Sequence, residues 1–94
     1  MIYYDLSPQY IFLKKEKSIS VTSVDPTDNE VLDLKEVSVD MFIALVELKL
    51  STSEVEQKIC ETHDVEIGLV QKDLMSLIQF LLEKKVIILR PSST

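Results

Sequence analysis

The sequence has very little of what catalysis or metal binding requires. It contains one cysteine, one histidine, one glycine and no tryptophan among its 94 residues. The lone Cys60 excludes an internal disulfide, so nothing indicates an oxidising compartment. A structural zinc site needs four ligands, and Cys60 and His63 supply only two. No third group that would orient a Cys–His catalytic pair is evident, and we expect a half-buried thiol and a surface imidazole.

Long hydrophobic runs and a surplus of basic residues are also missing. No apolar stretch approaches the roughly 20 residues that span a bilayer, and no signal-peptide pattern opens the sequence. We therefore expect a cytoplasmic protein that binds no membrane. The 10 basic and 16 acidic residues give a net charge of −6. Clustered Lys and Arg dominate nucleic-acid binding, so we expect no nucleic-acid partner. With Gly68 as the single glycine, a phosphate-binding loop is excluded too.

The hydrophobic pattern before residue 36 predicts three short strands. An apolar run covers residues 10–13, an alternating segment covers 18–22, and a third short strand is predicted at 30–34. A charged segment at 14–17 and the turn-forming residues 25–29 separate them. Links this short predict an antiparallel meander.

After residue 36 the pattern becomes helical. Ser38 is expected to cap a first helix, and Ser51 and Glu54 form a capping box at the start of a second one. Asp64 and Val65 interrupt the second helix.

The third predicted helix, from about residue 68 to 84, has the clearest pattern. Met75, Phe80 and Leu82 widen its apolar arc beyond what one packing surface needs. Its central apolar face repeats at helical spacing and consists of Val70, Leu74, Leu77, Ile78 and Leu81.

A last strand at residues 86–89 and a frayed tail from Pro91 onward complete the prediction. The length suits one domain covering residues 1–94, with a core at about 8–89 and frayed ends. Three strands, three helices and a terminal strand describe an α+β domain of winged-helix type.

The order of these elements, and a residue pattern on the third helix, resemble the PqqD-like family, also called precursor-peptide recognition elements. Residues 52–55 correspond to the family's start of the second helix. The family often has glycine before the second helix and before the last strand, where this chain has 50–51 and 84–85. The family pattern on the third helix is matched by Val70, Asp73, Leu74, Leu77 and Ile78. The apolar residues that end the family pattern are matched by Val86 and Ile87.

The resemblance implies a non-catalytic adaptor without metal or cofactor. Such a protein binds the leader of a ribosomally made precursor peptide and presents it to a separate modifying enzyme. The leader would add as a strand to the sheet edge, in the groove beside the third helix. We expect Asp73 to face a basic leader residue. The candidate peptide-binding residues are Val31, Leu32, Asp33 and Leu34 on the strand, and Asp73, Leu77 and Phe80 on the helix.

Plainer roles and other functions also fit these residues. Leu77 is also expected in the core, Phe80 against a loop, and Asp73 as favourable charge near a helix start. Met75 and Leu82 form a second flank that competes for the groove. A winged-helix nucleic-acid binder, with the third helix in a major groove, and a general protein-interaction module are the alternative functions.

Overall fold

The computed structural model describes residues 2–25, 27 and 31–90. The strands in these ranges are β1 (Tyr3–Leu6), β2 (Tyr10–Lys14), β3 (Ser18–Ser23), β4 (Val31–Lys35) and β5 (Ile87–Arg90). The helices are α1 (Val37–Phe42), which continues directly into a π-helical segment (Ile43–Glu47), α2 (Thr52–His63) and α3 (Ile67–Glu83). The predicted α+β class and the predicted order of elements are confirmed. Parts of the predicted 25–29 turn, Glu30 of the predicted third strand, and the predicted tail from Pro91 lie outside the described residues.

The main sheet has the order β2-β3-β4, and both pairings are antiparallel. Ile19 lies opposite Leu34, and both side chains are buried. Asp33 lies opposite Ser20 on the other face, because successive side chains of a strand alternate. Within the described ranges β4 pairs with β3 alone, so its second side is a sheet edge.

A two-stranded ribbon of β1 and β5 joins the two ends of the chain, with Tyr3 opposite Arg90. The guanidinium of Arg90 lies 4.5 Å from the centre of the Tyr3 ring and 3.8 Å from the Asp5 carboxylate. Strand β1 was not predicted. Its four residues are all half-buried and show no alternation, and its partner lies at the other end of the sequence. Strand β5 begins one residue later than predicted.

The start of α1 differs from the prediction. Ser38 was expected at the N-cap, but Glu36 occupies that position and makes no side-chain capping bond. Glu36 has φ 58° and ψ −132°, and this turn carries the chain from β4 straight into the helix. Ser38 therefore lies inside the first turn, where it cannot act as the cap.

The start of α2 agrees with the prediction. The Ser51 hydroxyl accepts a hydrogen bond from the Glu54 amide at 3.3 Å, and the Glu54 carboxylate accepts one from the Ser51 amide at 2.9 Å. This capping box satisfies two backbone donors that a helix start otherwise leaves free. The helix ends at Asp64, which has the left-handed conformation common after helices.

Helix α3 buries one long apolar face in the core. Its predicted face is buried: Val70, Leu74, Leu77, Ile78 and Leu81. Met75, Phe80 and Leu82 remain 59%, 40% and 39% exposed, which agrees with an apolar arc wider than the core. None of the helices in the described ranges is long and apolar enough to cross a membrane.

Two contacts fix the sheet against the helices. The rings of Phe12 on β2 and Phe42 on α1 meet edge to face, with centroids 5.2 Å apart. The Tyr10 hydroxyl donates a hydrogen bond of 3.0 Å to the carbonyl of Lys84, next to the C-terminal end of α3. The first contact joins the sheet to α1, and the second joins it to the end of α3.

The capping box predicts a pH effect on stability. Hydrogen bonds from the Ser51 amide, and secondarily from its hydroxyl, lower the pKa of Glu54 below its ordinary value of 4.5. The folded protein therefore gains stability at pH values above 4.5, and this gain is lost as the pH falls through the lowered pKa. Glu54→Gln keeps an acceptor without the titration, so its acid loss of stability, measured by urea unfolding, should be shallower than that of the wild type.

Glu61→Gln is the matched control, because Glu61 lies on the same helix outside the capping box. This variant should lose stability at acid pH as the wild type does. If the stability of the two variants depends on pH in the same way, the capping box does not lower the pKa of Glu54.

Candidate functional site

A cleft of about 440 Å³ lies where the end of β4, the start of α1 and one flank of α3 meet. The residues from β4 and α1 are Lys35, Glu36, Val37, Ser38 and Met41. The residues from α3 are Asp73, Ser76, Leu77 and Phe80. The flank of α3 that carries Asp73 therefore faces the end of β4, as the sequence analysis favoured.

The structure brings the three predicted helix residues together. Asp73, Leu77 and Phe80 recur at intervals of four and three residues, so they follow one line along α3. Leu77 is 9% exposed and serves both the core and the cleft floor, while Phe80 is 40% exposed. Asp73 is exposed, and its carboxylate has no hydrogen bond or ion pair within residues 2–25, 27 and 31–90.

The four predicted strand residues lie along the edge strand, next to the cleft rather than in its lining. Leu34 is buried in the core and Leu32 is half-buried against it. Val31 and Asp33 point to the outer face, where Val31 is 54% exposed. The Ser20 hydroxyl donates a hydrogen bond of 2.7 Å to the Asp33 carboxylate. The cleft begins where β4 ends, and peptide contacts at residues 31–34 stay a prediction.

The charges around the cleft give it an acidic balance. Asp73 and Glu36 are acidic and Lys35 is basic. Lys35 shares the outer strand face with Asp33, because the two residues are separated by one position. Asp73 therefore lies beside the apolar residues of the cleft, and Lys35 lies at the edge of the cleft.

The other flank of α3 borders a different cleft, of about 490 Å³. Here Leu82 lies near Ile88 and Leu89 of β5, and Lys85 is the charged residue among the described lining. Met75 lies farther along the same flank, in a cavity of about 80 Å³ that includes Tyr4. The two long sides of α3 thus face two clefts with opposite charge.

A contact that the sequence analysis missed ties α2 to α1. The imidazole Nε2 of His63 lies 2.6 Å from a carboxylate oxygen of Asp40. His63 was expected as a surface imidazole, but it is half-buried and contacts this carboxylate. The two residues are 23 positions apart, and no local pattern in the sequence connects them.

Neither Cys60 nor the acidic residues assemble a recognisable reactive centre in the described ranges. Cys60 is half-buried, as expected, and no hydrogen bond joins its thiol to His63. Among the described residues, no group of three or more His, Cys, Asp or Glu side chains is placed to hold a metal ion.

No protein-family model and no curated protein matches the sequence. A solved structure does match: that of TbiB1 in complex with the TbiA(beta) leader peptide. The superposition has a TM-score of 0.79 and covers 96% of this chain and 99% of the TbiB1 chain, with 18% sequence identity. This chain shares the TbiB1 fold. At 18% identity the similarity establishes the fold and does not transfer the roles of individual residues.

The turn at Glu36, which forms one wall of the cleft, predicts a stabilising substitution. A positive φ costs a residue with a side chain on the order of 1–3 kcal/mol, and glycine avoids that cost. Part of the gain is offset by the greater freedom of glycine in the unfolded chain. Glu36→Gly should raise the free energy of unfolding by about 1 kcal/mol in urea titrations.

Lys35→Gly is the control, because Lys35 lies in the extended conformation of β4. Glycine there should lower the free energy of unfolding, since it weakens a strand. A loss of stability in both variants would contradict a strained turn at Glu36.

Proposed function

We propose that this chain is a non-catalytic adaptor of the PqqD-like type. It binds the leader of a ribosomally made precursor peptide and presents it to a separate modifying enzyme. The observation that carries the proposal is the free edge of β4, which runs directly into a cleft bordered by Asp73, Leu77 and Phe80.

The edge of β4 supplies the backbone part of recognition. An edge strand has N–H and C=O groups without partners, and an extended peptide satisfies them by adding one more strand. A peptide paired with residues 31–35 and extending past Lys35 passes over the cleft. Its affinity then comes largely from backbone hydrogen bonds, which depend little on the peptide sequence.

The cleft supplies the side-chain part of recognition. Leu77, Val37 and Met41 form an apolar floor, and Phe80 stands beside it with 40% of its surface exposed. An exposed aromatic residue next to a buried apolar floor is typical of the anchors that contribute most to binding. A peptide side chain placed against Phe80 removes apolar surface from water on both partners.

The TbiB1 structure gives independent support. That protein was solved with a leader peptide bound, and its fold matches this chain over nearly the whole length of both. Shared folds host different functions, so the proposal rests on the cleft as well as on the fold.

The nucleic-acid alternative receives less support from α3. Its exposed residues include Lys72, but also Asp73 and Glu83. A helix in a major groove lies between two rows of phosphates, and acidic side chains on its exposed surface oppose that position. A general interaction module remains the nearest rival, and a binding experiment separates it from a leader-binding adaptor.

Phe80→Ala tests the proposed function. Reading frames next to the gene are first searched for a short precursor, and a labelled synthetic peptide that covers its leader is the probe. Loss of the aromatic anchor should weaken binding by about 1–2 kcal/mol, or roughly 5- to 30-fold, in a fluorescence anisotropy titration. Circular dichroism checks that the variant is folded.

Leu82→Ala is the matched control. Leu82 lies on the same helix with almost the same exposure, but it faces the cleft beside β5. The affinity of the Leu82→Ala variant for the peptide should stay within about twofold of the wild type, because Leu82 lies outside the proposed anchor. Absence of binding by the wild type would refute the adaptor function, and a larger loss for Leu82→Ala would move the site to the other flank.

A further inference from the structure

The chemistry of the cleft restricts the sequence of its ligand, an inference that rests on the proposed function. We infer that the bound peptide carries a basic residue two positions away from an apolar residue. The basic side chain pairs with Asp73, and the apolar side chain lies on the floor formed by Leu77, Val37 and Met41.

Asp73 has no role within the fold that accounts for its position. Its side chain is exposed in the cleft, and its carboxylate has no partner among the described residues. An acidic residue stabilises a helix mainly in the first turn. Helix α3 begins at Ile67, so Asp73 lies in the second turn, where that effect has largely faded. A carboxylate in this place is available for a cation from outside.

The charges nearby favour a basic ligand over an acidic one. Glu36 is the second acidic residue of the cleft. Lys35 opposes it, but Lys35 lies on the outer sheet face with Asp33 and therefore meets the other face of an added strand. On the face that looks toward α3, the cation of the peptide meets Asp73 next to an apolar surface, where water screens the attraction less.

For a peptide strand that runs parallel to α3, the spacing follows from the rise per residue of the helix and of the strand. Asp73 and Leu77 are four residues apart on α3, which corresponds to about 6 Å along the helix axis. Two residues of an extended peptide span about 6.6 Å and point to the same face. An odd spacing would put the two side chains on opposite faces. A spacing of four residues in the peptide spans about 13 Å. This is longer than the roughly 10.5 Å that separates Asp73 from Phe80 along the helix axis.

The cleft on the other side of α3 differs in charge from the cleft that contains Asp73. Its lining includes Lys85 and no acidic residue among the described positions. A peptide that bound there would be selected for acidic residues, so the sign of the selected charge reports which cleft is occupied.

The test is a selection from a phage-displayed library of random peptides of about 12 residues, long enough for one strand and its flanks. The immobilised full chain is used as wild type, as Asp73→Lys and as Glu83→Lys. The wild type should enrich peptides with Lys or Arg two positions from Leu, Ile, Val, Met or Phe. Asp73→Lys should enrich Asp or Glu in place of the basic residue and keep the apolar one.

Glu83→Lys is the control, because it makes the same charge change on α3 at an exposed residue outside the cleft lining. It should retain the wild-type motif. A synthetic peptide from the wild-type pool should lose about tenfold in affinity for the wild type when its basic residue is changed to Glu. The Asp73→Lys variant should restore binding of the changed peptide.

The outcomes separate this inference from the proposed function. No enrichment over an unrelated protein would refute strand binding itself. Enrichment without the basic–apolar pair, or a motif unchanged by Asp73→Lys, would overturn the inference and leave peptide binding in place. An acidic motif would overturn the inference and assign binding to the cleft beside β5.

Discussion

The burial of one face of α3 determines where the two clefts beside this helix lie. Five apolar residues at helical spacing enter the core, but the apolar arc of the helix is wider than the surface that the core offers. Phe80 and Leu82 are therefore left on either side of the buried stripe, each about 40% exposed. One flank meets the end of β4 and the other meets β5, so both clefts follow from the packing of a single helix.

The junction between β4 and α1 makes the first of these clefts unlike the second. Strand β4 is a sheet edge, and the turn at Glu36 leads from that edge directly to Val37 and Met41 in the cleft. Backbone groups of a sheet edge thus lie next to a cleft with apolar and acidic side chains. Asp73 gives this cleft its acidic charge, while Lys85 gives the cleft beside β5 a basic one.

Features with a local cause were predictable from the sequence, and features that depend on distant pairs were not. The period of α3 and the capping box at Ser51 depend on residues within a few positions of each other, and both predictions are confirmed. Strand β1 and the contact of His63 with Asp40 join distant segments. A positive φ at a glutamate leaves no trace in the sequence. The cleft residues from Lys35 to Ser38 depend on this turn, and no pattern in the sequence pointed to them.

Amide hydrogen exchange of β4, followed by NMR with and without a saturating peptide ligand, tests strand addition most directly. The outward-facing amides of residues 31–35 should exchange more slowly when the peptide is bound, in an alternating pattern, because only every second N–H of an edge strand points away from the sheet. Unchanged exchange in β4 together with slower exchange in Ile87–Arg90 would contradict the account and place the peptide on the ribbon at the other side of α3.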